Sequence, residues 1–193
     1  MTDPVKKALR ETMKQIRAKA SVSYRATASN QICTRIRSLE QYRYAKRIAL
    51  YFAVNGEVDL NALWSSAPLQ GKFCYFPTLN EDRSALSFLP ATPATPFKKN
   101  HYGIPEPDVS MDSALPAEEL DLILMPLVAF DVHCTRLGMG AGYYDKTFKE
   151  KSSSSLLCGV AYQFQRVDFI QPNVWDIPLD AVITQRAIYW RNS

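Results

Sequence analysis

The sequence has no apolar run long enough to cross a membrane. Of its 193 residues, 47% are hydrophobic and 22% are charged, but no uninterrupted apolar stretch reaches the roughly 18 residues of a membrane span. The first twenty residues mix apolar and basic side chains and lack the apolar centre of a signal peptide. We therefore expect a cytoplasmic protein without membrane contact, and its length fits one domain spanning residues 1–193.

Cysteine and histidine are scarce, and their positions exclude several classes of site. The four cysteines are far apart and form no C-x-x-C pair, so the sequence lacks a zinc knuckle or a redox motif of that kind. We expect them to be reduced, small hydrophobic side chains. The two histidines have no sequence neighbours that would complete a catalytic triad or a metal site. These residues are Cys33, Cys74, Cys134, Cys158, His101 and His133.

Acidic residues are outnumbered by basic ones. Lysine and arginine exceed aspartate and glutamate by 23 to 19, and many of the basic residues lie before residue 50. A basic N-terminal part suits an anionic partner, and charge alone leaves nucleic acid, a polyphosphate and a polyglutamylated small molecule open. A solvated basic helix face without any partner would give the same pattern.

Strand-like and helix-like segments alternate along the chain. Thr2 or Asp3 is placed to cap a helix with Pro4 at its first position, and Ser21 begins a second helix that we predict to reach Tyr42. Apolar segments predict strands at 47–54, 72–76, 85–89, 120–130, 156–161, 181–184 and 187–190. This alternation predicts a three-layer α/β/α domain with a mostly parallel, Rossmann-like sheet and a cleft at the carboxyl ends of the strands.

The strand predicted at 120–130 leads into a glycine-rich loop. Its near-continuous apolar run is typical of a strand that is buried on both faces. Gly138, Gly140 and Gly142 then occupy alternate positions. The spacing G-x-G-x-G matches neither the dinucleotide fingerprint nor the P-loop, and a turn that needs positive φ angles would use the same residues.

Charged residues on both sides of these glycines favour a phosphate site. Arg136 precedes them, and a guanidinium can bind phosphate oxygens through two parallel hydrogen bonds. Asp145 follows them and offers the oxygen ligands that Mg²⁺ prefers. A helix predicted over 143–149 would direct backbone N–H groups at a bound anion.

Polar and aromatic residues near other predicted strand ends are candidates for ligand contacts. Glu57 and Asp59 follow the strand at 47–54, where open α/β sheets bind ligands, although Asp59 is equally placed to cap a short helix. The proline-rich segment 91–113 is predicted to be a long loop. Within it Tyr102 can stack on a flat heterocycle or anchor the loop to the surface.

Five motifs occur in an order that is similar to that of the 5-formyltetrahydrofolate cyclo-ligases, also called methenyltetrahydrofolate synthetases. In that family a P-x-x-x-F-D strand end precedes R-[LI]-G-x-G-x-G-Y-Y-D, and a K-x-x-x-R opening, an E-V-[DN] turn, a Y-G-I-x-E-P loop and a W-D-x-P-L-D ending accompany it. Trp175 stands where many members have histidine, so we assign it no catalytic role. The matching positions are Pro126, Phe130, Asp131 and 136–145, with Lys6, Arg10, Glu57 to Asp59, 102–107 and 175–180.

The resemblance implies an ATP- and Mg²⁺-dependent ligase that converts 5-formyltetrahydrofolate to 5,10-methenyltetrahydrofolate. The formyl oxygen is phosphorylated, N10 attacks the activated carbon, and ADP and phosphate are released. Lys6, Arg10 and Arg136 are the implied catalytic cations, and Asp145 and Asp180 the implied metal ligands. The implied ATP-binding residues are Lys6, Lys7, Ala8, Leu9, Arg10, Arg136, Leu137, Gly138, Met139, Gly140, Ala141, Gly142, Tyr143 and Tyr144. The implied folate-binding residues are Val54, Glu57, Asp59, Tyr102, Met139, Gly140, Ala141, Gly142 and Tyr143.

Two other classes of function remain as alternatives at this point. A non-enzymatic basic α/β module would bind RNA or a protein partner, but the basic residues lack the interleaved aromatics that stack on bases. A sugar-phosphate isomerase or an acyl-transfer enzyme on a similar scaffold would not require ATP. We expect small-molecule partners, namely ATP and a folate that can carry a polyglutamate tail, and a monomer that binds neither nucleic acid nor membranes.

Overall fold

The chain begins with a capped helix. A computed structural model describes residues 3–80, 82, 84–149 and 155–191, and its first element is α1, Pro4–Lys19. Asp3 Oδ1 accepts hydrogen bonds from the backbone N–H groups of Val5 at 2.8 Å and Lys6 at 3.3 Å. The predicted cap with Pro4 at the first helical position is therefore confirmed for Asp3, whereas Thr2 lies outside the described residues.

The second predicted helix is divided in two. Ser21 caps α2, Val22–Ser38, by accepting a hydrogen bond from the N–H of Tyr24 at 3.1 Å. Leu39 then adopts an extended conformation, and the five-residue α3, Glu40–Tyr44, follows it. Leu39, at the break, and Tyr42, in α3, are both buried in the core.

The strands form one large sheet and two small ones. The large sheet has the order β11-β10-β9-β6-β1-β2-β3; its five inner strands are parallel, and the two edge strands are antiparallel to their neighbours. The mostly parallel α/β sheet is therefore confirmed. β4 pairs with β5 and β7 pairs with β8. The strands are β1 Arg47–Ala49, β2 Phe73–Leu79, β3 Leu86–Pro90, β4 Phe97–Lys99, β5 Pro105–Pro107, β6 Leu122–Pro126, β7 Ala129–Phe130, β8 Arg136–Leu137, β9 Leu156–Val160, β10 Ala181–Ile183 and β11 Ile188–Trp190.

The central strand β6 contributes to two hydrophobic clusters, one on each face of the sheet. Leu122 and Leu124 pack with the side chains of α2, α3 and α4, Asn61–Ser66. Ile123 and Met125 point to the opposite face, which is covered by α5, Tyr143–Thr147, and by irregular segments. All four side chains are fully buried. The apolar run therefore reflects a strand with both faces in the core, as predicted.

Several predicted bounds of secondary-structure elements are wrong near the carboxyl ends of the strands. β1 ends at Ala49, so residues 50–54 leave the sheet. Pro77 does not end β2, because β1 pairs with β2 only as far as Tyr75 and β3 is the single neighbour beyond that point. The proline-rich segment 91–113 contains the β4–β5 hairpin rather than only loop. In the described part of the chain, no helix has the length and apolar character of a membrane span.

Candidate active site

A cavity of about 940 Å³ lies at the carboxyl ends of the parallel strands, where the sequence predicts a cleft. Its walls are the segment that follows β1 and the carboxyl ends of β2 and β6, together with the N-terminal half of α1, the β4–β5 hairpin and the glycine-rich loop after β8. Most of the side chains that can contact a ligand are polar or aromatic. They include Lys6, Arg10, Val54, Asn55, Glu57, Asn100, Tyr102, Glu106, 136–145, Asn173, Trp175 and Asp176.

The glycine-rich loop is held against α1 by Arg10. Arg10 Nε donates a hydrogen bond to the carbonyl oxygen of Gly138 at 2.8 Å. Gly140 has a φ of +108°, and a Cβ atom built there would lie 3.7 Å from Arg10 Cζ, so the guanidinium crosses the loop closely. This arrangement places a cation beside backbone that is bare of side chains, which is the environment that a phosphate group requires.

Arg136 and Asp145 form an ion pair at the back of this loop. Arg136 Nη2 donates to Asp145 Oδ1, and Ile177 N donates to the same oxygen at 3.0 Å. The Arg136 guanidinium also lies 5.8 Å from the centroid of the Tyr144 ring. The two residues that the sequence identifies as a phosphate ligand and a metal ligand are thus brought together, and each compensates the charge of the other.

A second ion pair in the cavity includes an acidic residue that sequence analysis did not assign. Lys6 Nζ lies 3.4 Å from Asp176 Oδ2, and the Lys6 side chain is almost fully buried. The same Asp176 oxygen accepts a hydrogen bond from Asn173 N at 2.8 Å, so a tight turn orients the carboxylate. The only sequence signal for Asp176 was its place between Trp175 and Asp180 in the W-D-x-P-L-D motif.

Glu57 is the most perturbed carboxyl group of the cavity wall. Its side chain is only 8% exposed, and this burial raises its pKa from an ordinary value of 4.5 to about 7, although the charge of Arg17 and a backbone hydrogen bond from Val54 lower it. The guanidinium Nη1 of Arg17 lies 3.8 Å from Glu57 Oε1. A carboxylate poised in this way is a strong acceptor for paired N–H donors of a ligand.

The β4–β5 hairpin carries Tyr102 to the mouth of the cavity. The hydroxyl groups of Tyr102 and Tyr143 lie 3.4 Å apart, so two rings from distant segments face the same opening. Glu106 orders the hairpin, because its Oε1 accepts hydrogen bonds from Leu79 N at 3.3 Å and Asn100 Nδ2 at 2.8 Å. Neither Asn100 nor Glu106 was assigned from the sequence, although Glu106 lies in the Y-G-I-x-E-P motif.

Four residues implied as ligand contacts do not line the cavity. Lys7 and Ala8 are on the exposed side of α1, and Leu9 packs beside the apolar cluster that contains Met13. Asp59 is exposed, and its Oδ1 accepts a hydrogen bond from Asn61 N at 2.8 Å. Asp59 therefore caps the start of α4, which is the alternative that the sequence left open.

Asp180 is also outside the cavity, so it does not lie with Asp145 as the expected metal site would require. Asp180 directly precedes β10, whereas the cavity lies at the other end of the parallel strands. Asp180 Oδ2 accepts a hydrogen bond from Leu157 N at 2.8 Å, and Oδ1 lies 3.7 Å from Arg191 Nη2. These contacts join the amino ends of β9 and β10, which is a structural role.

The cavity suits a metal ion that is coordinated partly by the protein and partly by a bound phosphate group. Within residues 3–80, 82, 84–149 and 155–191, no group of three His, Cys, Asp or Glu side chains is arranged to hold a metal ion. Mg²⁺ needs no such cage, because it commonly binds one or two carboxylates and the oxygens of a bound phosphate. Asp145 and Asp176 both line the cavity beside the glycine-rich loop, so the residues present fit a magnesium ion that arrives with a nucleotide.

The cysteines take no part in this site. All four are buried, and none forms a disulfide bond. Burial raises the pKa of the Cys33, Cys74 and Cys134 thiols to about 11, so these side chains remain protonated at neutral pH. Their burial agrees with the prediction that they serve as small hydrophobic side chains.

The chain is similar to one protein family over most of its length. Residues 2–185 match the model of the 5-formyltetrahydrofolate cyclo-ligase family. A 5-formyltetrahydrofolate cyclo-ligase of Haemophilus influenzae is 39% identical over 173 residues, which cover 89% of this chain and 92% of that protein. The Escherichia coli protein of the same name is 33% identical over 161 residues, which cover 82% of this chain and 88% of that protein.

Solved structures have the same fold. The NMR structure of 5,10-methenyltetrahydrofolate synthetase from Aquifex aeolicus superposes with a TM-score of 0.86 at 31% identity, covering 98% of this chain and 94% of that one. The 5,10-methenyltetrahydrofolate synthetase from Mycoplasma pneumoniae superposes with a TM-score of 0.76 at 25% identity, covering 93% and 98% of the two chains.

Proposed function

The chain belongs to the 5-formyltetrahydrofolate cyclo-ligase family, and we propose that it converts 5-formyltetrahydrofolate to 5,10-methenyltetrahydrofolate with consumption of ATP in the presence of Mg²⁺. The observation that carries the proposal is that one cavity contains both cationic groups and groups suited to a flat heterocycle. Lys6, Arg10 and the glycine-rich loop provide the first set, and Glu57 and Tyr102 provide the second. Membership of an enzyme family leaves no support for the non-enzymatic RNA-binding alternative.

The proposed reaction begins with phosphoryl transfer. The formyl oxygen attacks the γ-phosphorus of ATP and ADP leaves, which makes the formyl carbon electrophilic. Transfer of this group depends on alignment and charge neutralisation more than on covalent catalysis. Lys6 and Arg10 lie beside the glycine-rich loop and are placed to orient the phosphates, while Arg136 is held behind the loop by Asp145.

Ring closure follows in the proposed sequence. N10 attacks the activated carbon, the carbon–oxygen bond breaks, phosphate leaves and N10 loses its proton, which gives the methenyl cation. Glu57 accepts hydrogen bonds from the guanidine-like edge of the pterin, and Tyr102 and Tyr143 enclose the folate at the cavity mouth. The burial of Glu57 and the approach of the two tyrosine hydroxyls support these roles. The enclosed geometry keeps N10 near the reacting carbon.

Asp145 is the residue that we propose as a magnesium ligand, together with phosphate oxygens of the nucleotide. When bound, the ion neutralises phosphate charge. Asp176 is a second carboxylate of the same wall, and its pairing with Lys6 keeps that lysine directed into the cavity.

The activity is tested by mixing purified protein with 5-formyltetrahydrofolate, ATP and Mg²⁺ and following the absorbance of the methenyl product. We expect product only when all three are present. A protein that forms no product at any substrate concentration would contradict the proposed reaction, and product formation without nucleotide would contradict the role of ATP.

The metal site is tested with a matched pair of variants, Asp145→Asn and Asp180→Asn. We expect Asp145→Asn to lower activity by about 10- to 100-fold, the range for residues around metal sites, and to raise the Mg²⁺ concentration that gives half-maximal activity. Asp180→Asn should keep the wild-type Mg²⁺ dependence, because Asp180 contacts Leu157 and Arg191 outside the cavity. Equal Mg²⁺ dependence in the two variants would remove Asp145 from the metal site.

A further inference from the structure

Arg17 is a buried cation directly behind the proposed folate site. It lies on α1 eleven residues after Lys6 and seven after Arg10, so the three basic side chains share one face of the helix. Lys6 and Arg10 line the cavity, whereas Arg17 does not, and its side chain is only 2% exposed.

The Arg17 guanidinium joins α1 to two walls of the cavity. Its Nε donates a hydrogen bond to the carbonyl oxygen of Asn55 at 2.9 Å, within the turn that carries Glu57. Its Nη1 donates to the carbonyl oxygen of Leu127 at 3.4 Å, just after β6, and lies 3.8 Å from Glu57 Oε1. One planar group thus contacts the segments that follow two neighbouring strands, together with the Glu57 carboxylate.

A purely structural role does not account for this residue well. Arg17 Nη2 is buried and has no hydrogen-bond partner among the described residues. Burying a cation with an unsatisfied donor costs free energy, and an apolar side chain of similar volume packs at lower cost. Residues that lower stability in this way are found where function requires them.

The surroundings of Glu57 explain what a cation does here. From α1 it faces Arg17, and the ionisable tyrosines Tyr51 after β1 and Tyr144 on α5 are close enough to interact with its charge. Tyr162 donates its hydroxyl to the backbone oxygen of Glu57 at 3.1 Å. Burial favours the neutral acid, and Arg17 is the main charge that opposes this effect.

A charged residue of α2 also approaches the turn. Arg25 Nη1 lies 2.7 Å from the position that a Cβ atom on Gly56 would occupy, so this guanidinium packs against the turn backbone. The interactions that set the ionisation of the Glu57 carboxyl come from Arg17 and the Val54 backbone, and not from Arg25.

We propose that Arg17 is a positioning residue that fixes the turn carrying Glu57 and keeps the Glu57 carboxylate ionised for the N–H donors of the folate. The inference rests on the proposed role of Glu57 in folate binding. Arg17 itself contacts neither substrate. Its contribution is expressed through the geometry of the turn and through the pH at which the folate site becomes competent.

The experiment measures equilibrium binding of 5-formyltetrahydrofolate by calorimetry, without nucleotide, between roughly pH 5.5 and 8.5. The proteins are wild type, Arg17→Met, Arg17→Lys and the control Lys14→Met. The control removes a cation from the same helix, and the ion-pair partner of Lys14, Glu11, is exposed. For wild type we expect affinity to fall as the pH drops through about 7, because protonated Glu57 loses an acceptor.

Arg17→Met should move this midpoint upward by about one pH unit and lower the affinity at neutral pH by about tenfold. Arg17→Lys keeps the charge but cannot contact Asn55 and Leu127 with one rigid group. It should therefore retain a midpoint near that of wild type while binding more weakly. Lys14→Met should behave as wild type.

A folded Arg17→Met protein with the wild-type midpoint and affinity would overturn the proposal. If circular dichroism shows that Arg17→Met does not fold, the Arg17→Lys variant becomes the test. Wild-type affinity in Arg17→Lys would contradict the positioning role. Wild-type protein that neither binds nor converts 5-formyltetrahydrofolate would instead overturn the proposed function, on which the inference depends.

Discussion

Individual basic residues of α1 lie in different environments. Arg10 crosses the glycine-rich loop, and Lys6 is paired with Asp176 in the cavity wall. Arg17 is buried against Glu57, while Lys14 pairs with the exposed Glu11 on the same helix. Each of these residues contributes equally to the net charge. Only the buried ones lie in a region of low dielectric constant, where a single charge changes the ionisation of its neighbours.

Glu57 should make protein stability depend on pH. Its pKa is about 7 in the folded protein against 4.5 ordinarily, so between these values the folded state binds a proton that the unfolded state does not. The contribution of Glu57 to the free energy of unfolding is therefore greatest below about pH 4.5 and declines as the pH rises to about 7, by on the order of 3 kcal/mol.

This pH effect is measured by urea unfolding of wild type and Glu57→Gln at about pH 5 and about pH 7.5. The glutamine variant removes the titration and leaves that of other groups in place. Wild type should lose stability relative to Glu57→Gln as the pH rises, and parallel pH dependence in the two proteins would contradict the raised pKa. The sign is opposite to that expected for folate binding, which improves over the same interval.

The turn at residues 54–57 shows how a short element can determine the geometry of a site. Glu57 N donates to the Val54 carbonyl oxygen at 3.0 Å, which closes the turn. Asn55 and Gly56 have φ angles of 52° and 75°, and this left-handed region suits asparagine and glycine. The Asn-Gly pair in the sequence therefore predicts the turn, but not the contact with Arg17.

Gly56→Ala should damage this turn. The new Cβ atom would lie 2.7 Å from Arg25 Nη1, and alanine is strained at positive φ. We expect a loss of about 1–2 kcal/mol in stability and a rise in the KM for 5-formyltetrahydrofolate of about tenfold, since Glu57 moves with the turn.

Gly71→Ala provides the matched control for that experiment. Gly71 also has a positive φ, of 68°, but a Cβ atom there meets nothing within 4 Å, and it lies outside the cavity. It should lose about 1 kcal/mol in stability with an unchanged KM. A rise in KM that is equal in the two variants would show that general destabilisation, rather than the turn, is responsible.

Packing behind the cavity connects the large sheet to the loops that form the site. Gly159 in β9 lies between the side chains of Leu127, after β6, and Leu179, before β10. A Cβ atom on Gly159 would come within 2.7 Å of Leu127 and 2.6 Å of Leu179. Close contact between these segments requires glycine because of space, not because of backbone conformation.

Gly159→Ala is therefore expected to lower the free energy of unfolding by about 1–3 kcal/mol, as overpacked core variants do. Urea unfolding measures the change. The double variant Gly159→Ala/Leu179→Ala should lose less than the sum of the two single variants, because the smaller side chain removes one clash. Strict additivity would show that the contact with Leu179 is not the cause.

The one-domain organisation, the monomeric state and the cytoplasmic location stay predictions from the sequence. The mostly parallel sheet and the family are confirmed. The arrangement of the cavity explains why separate motifs of the sequence belong together, since the parallel strands β1, β2 and β6 all end at one edge of the sheet.

Features that depend on neighbouring residues are predictable from the amino-acid sequence alone. The Asp3 cap, the buried strand β6 and the turn at Asn55 and Gly56 follow from local hydrogen bonding, apolar periodicity and backbone preference. The order of the motifs was sufficient to identify the family. None of these inferences requires knowledge of which distant segments meet.

Which charged groups face one another depends on the three-dimensional fold. Lys6 and Asp176 are 170 positions apart, and Arg17 reaches Asn55 across 38 positions. Asp180 carries the same chemical group as Asp145 but precedes its strand, so the direction of β10 removes it from the cavity. Ion pairs and pKa shifts depend on distance and burial in space, and the spacing of residues along the chain contains neither quantity.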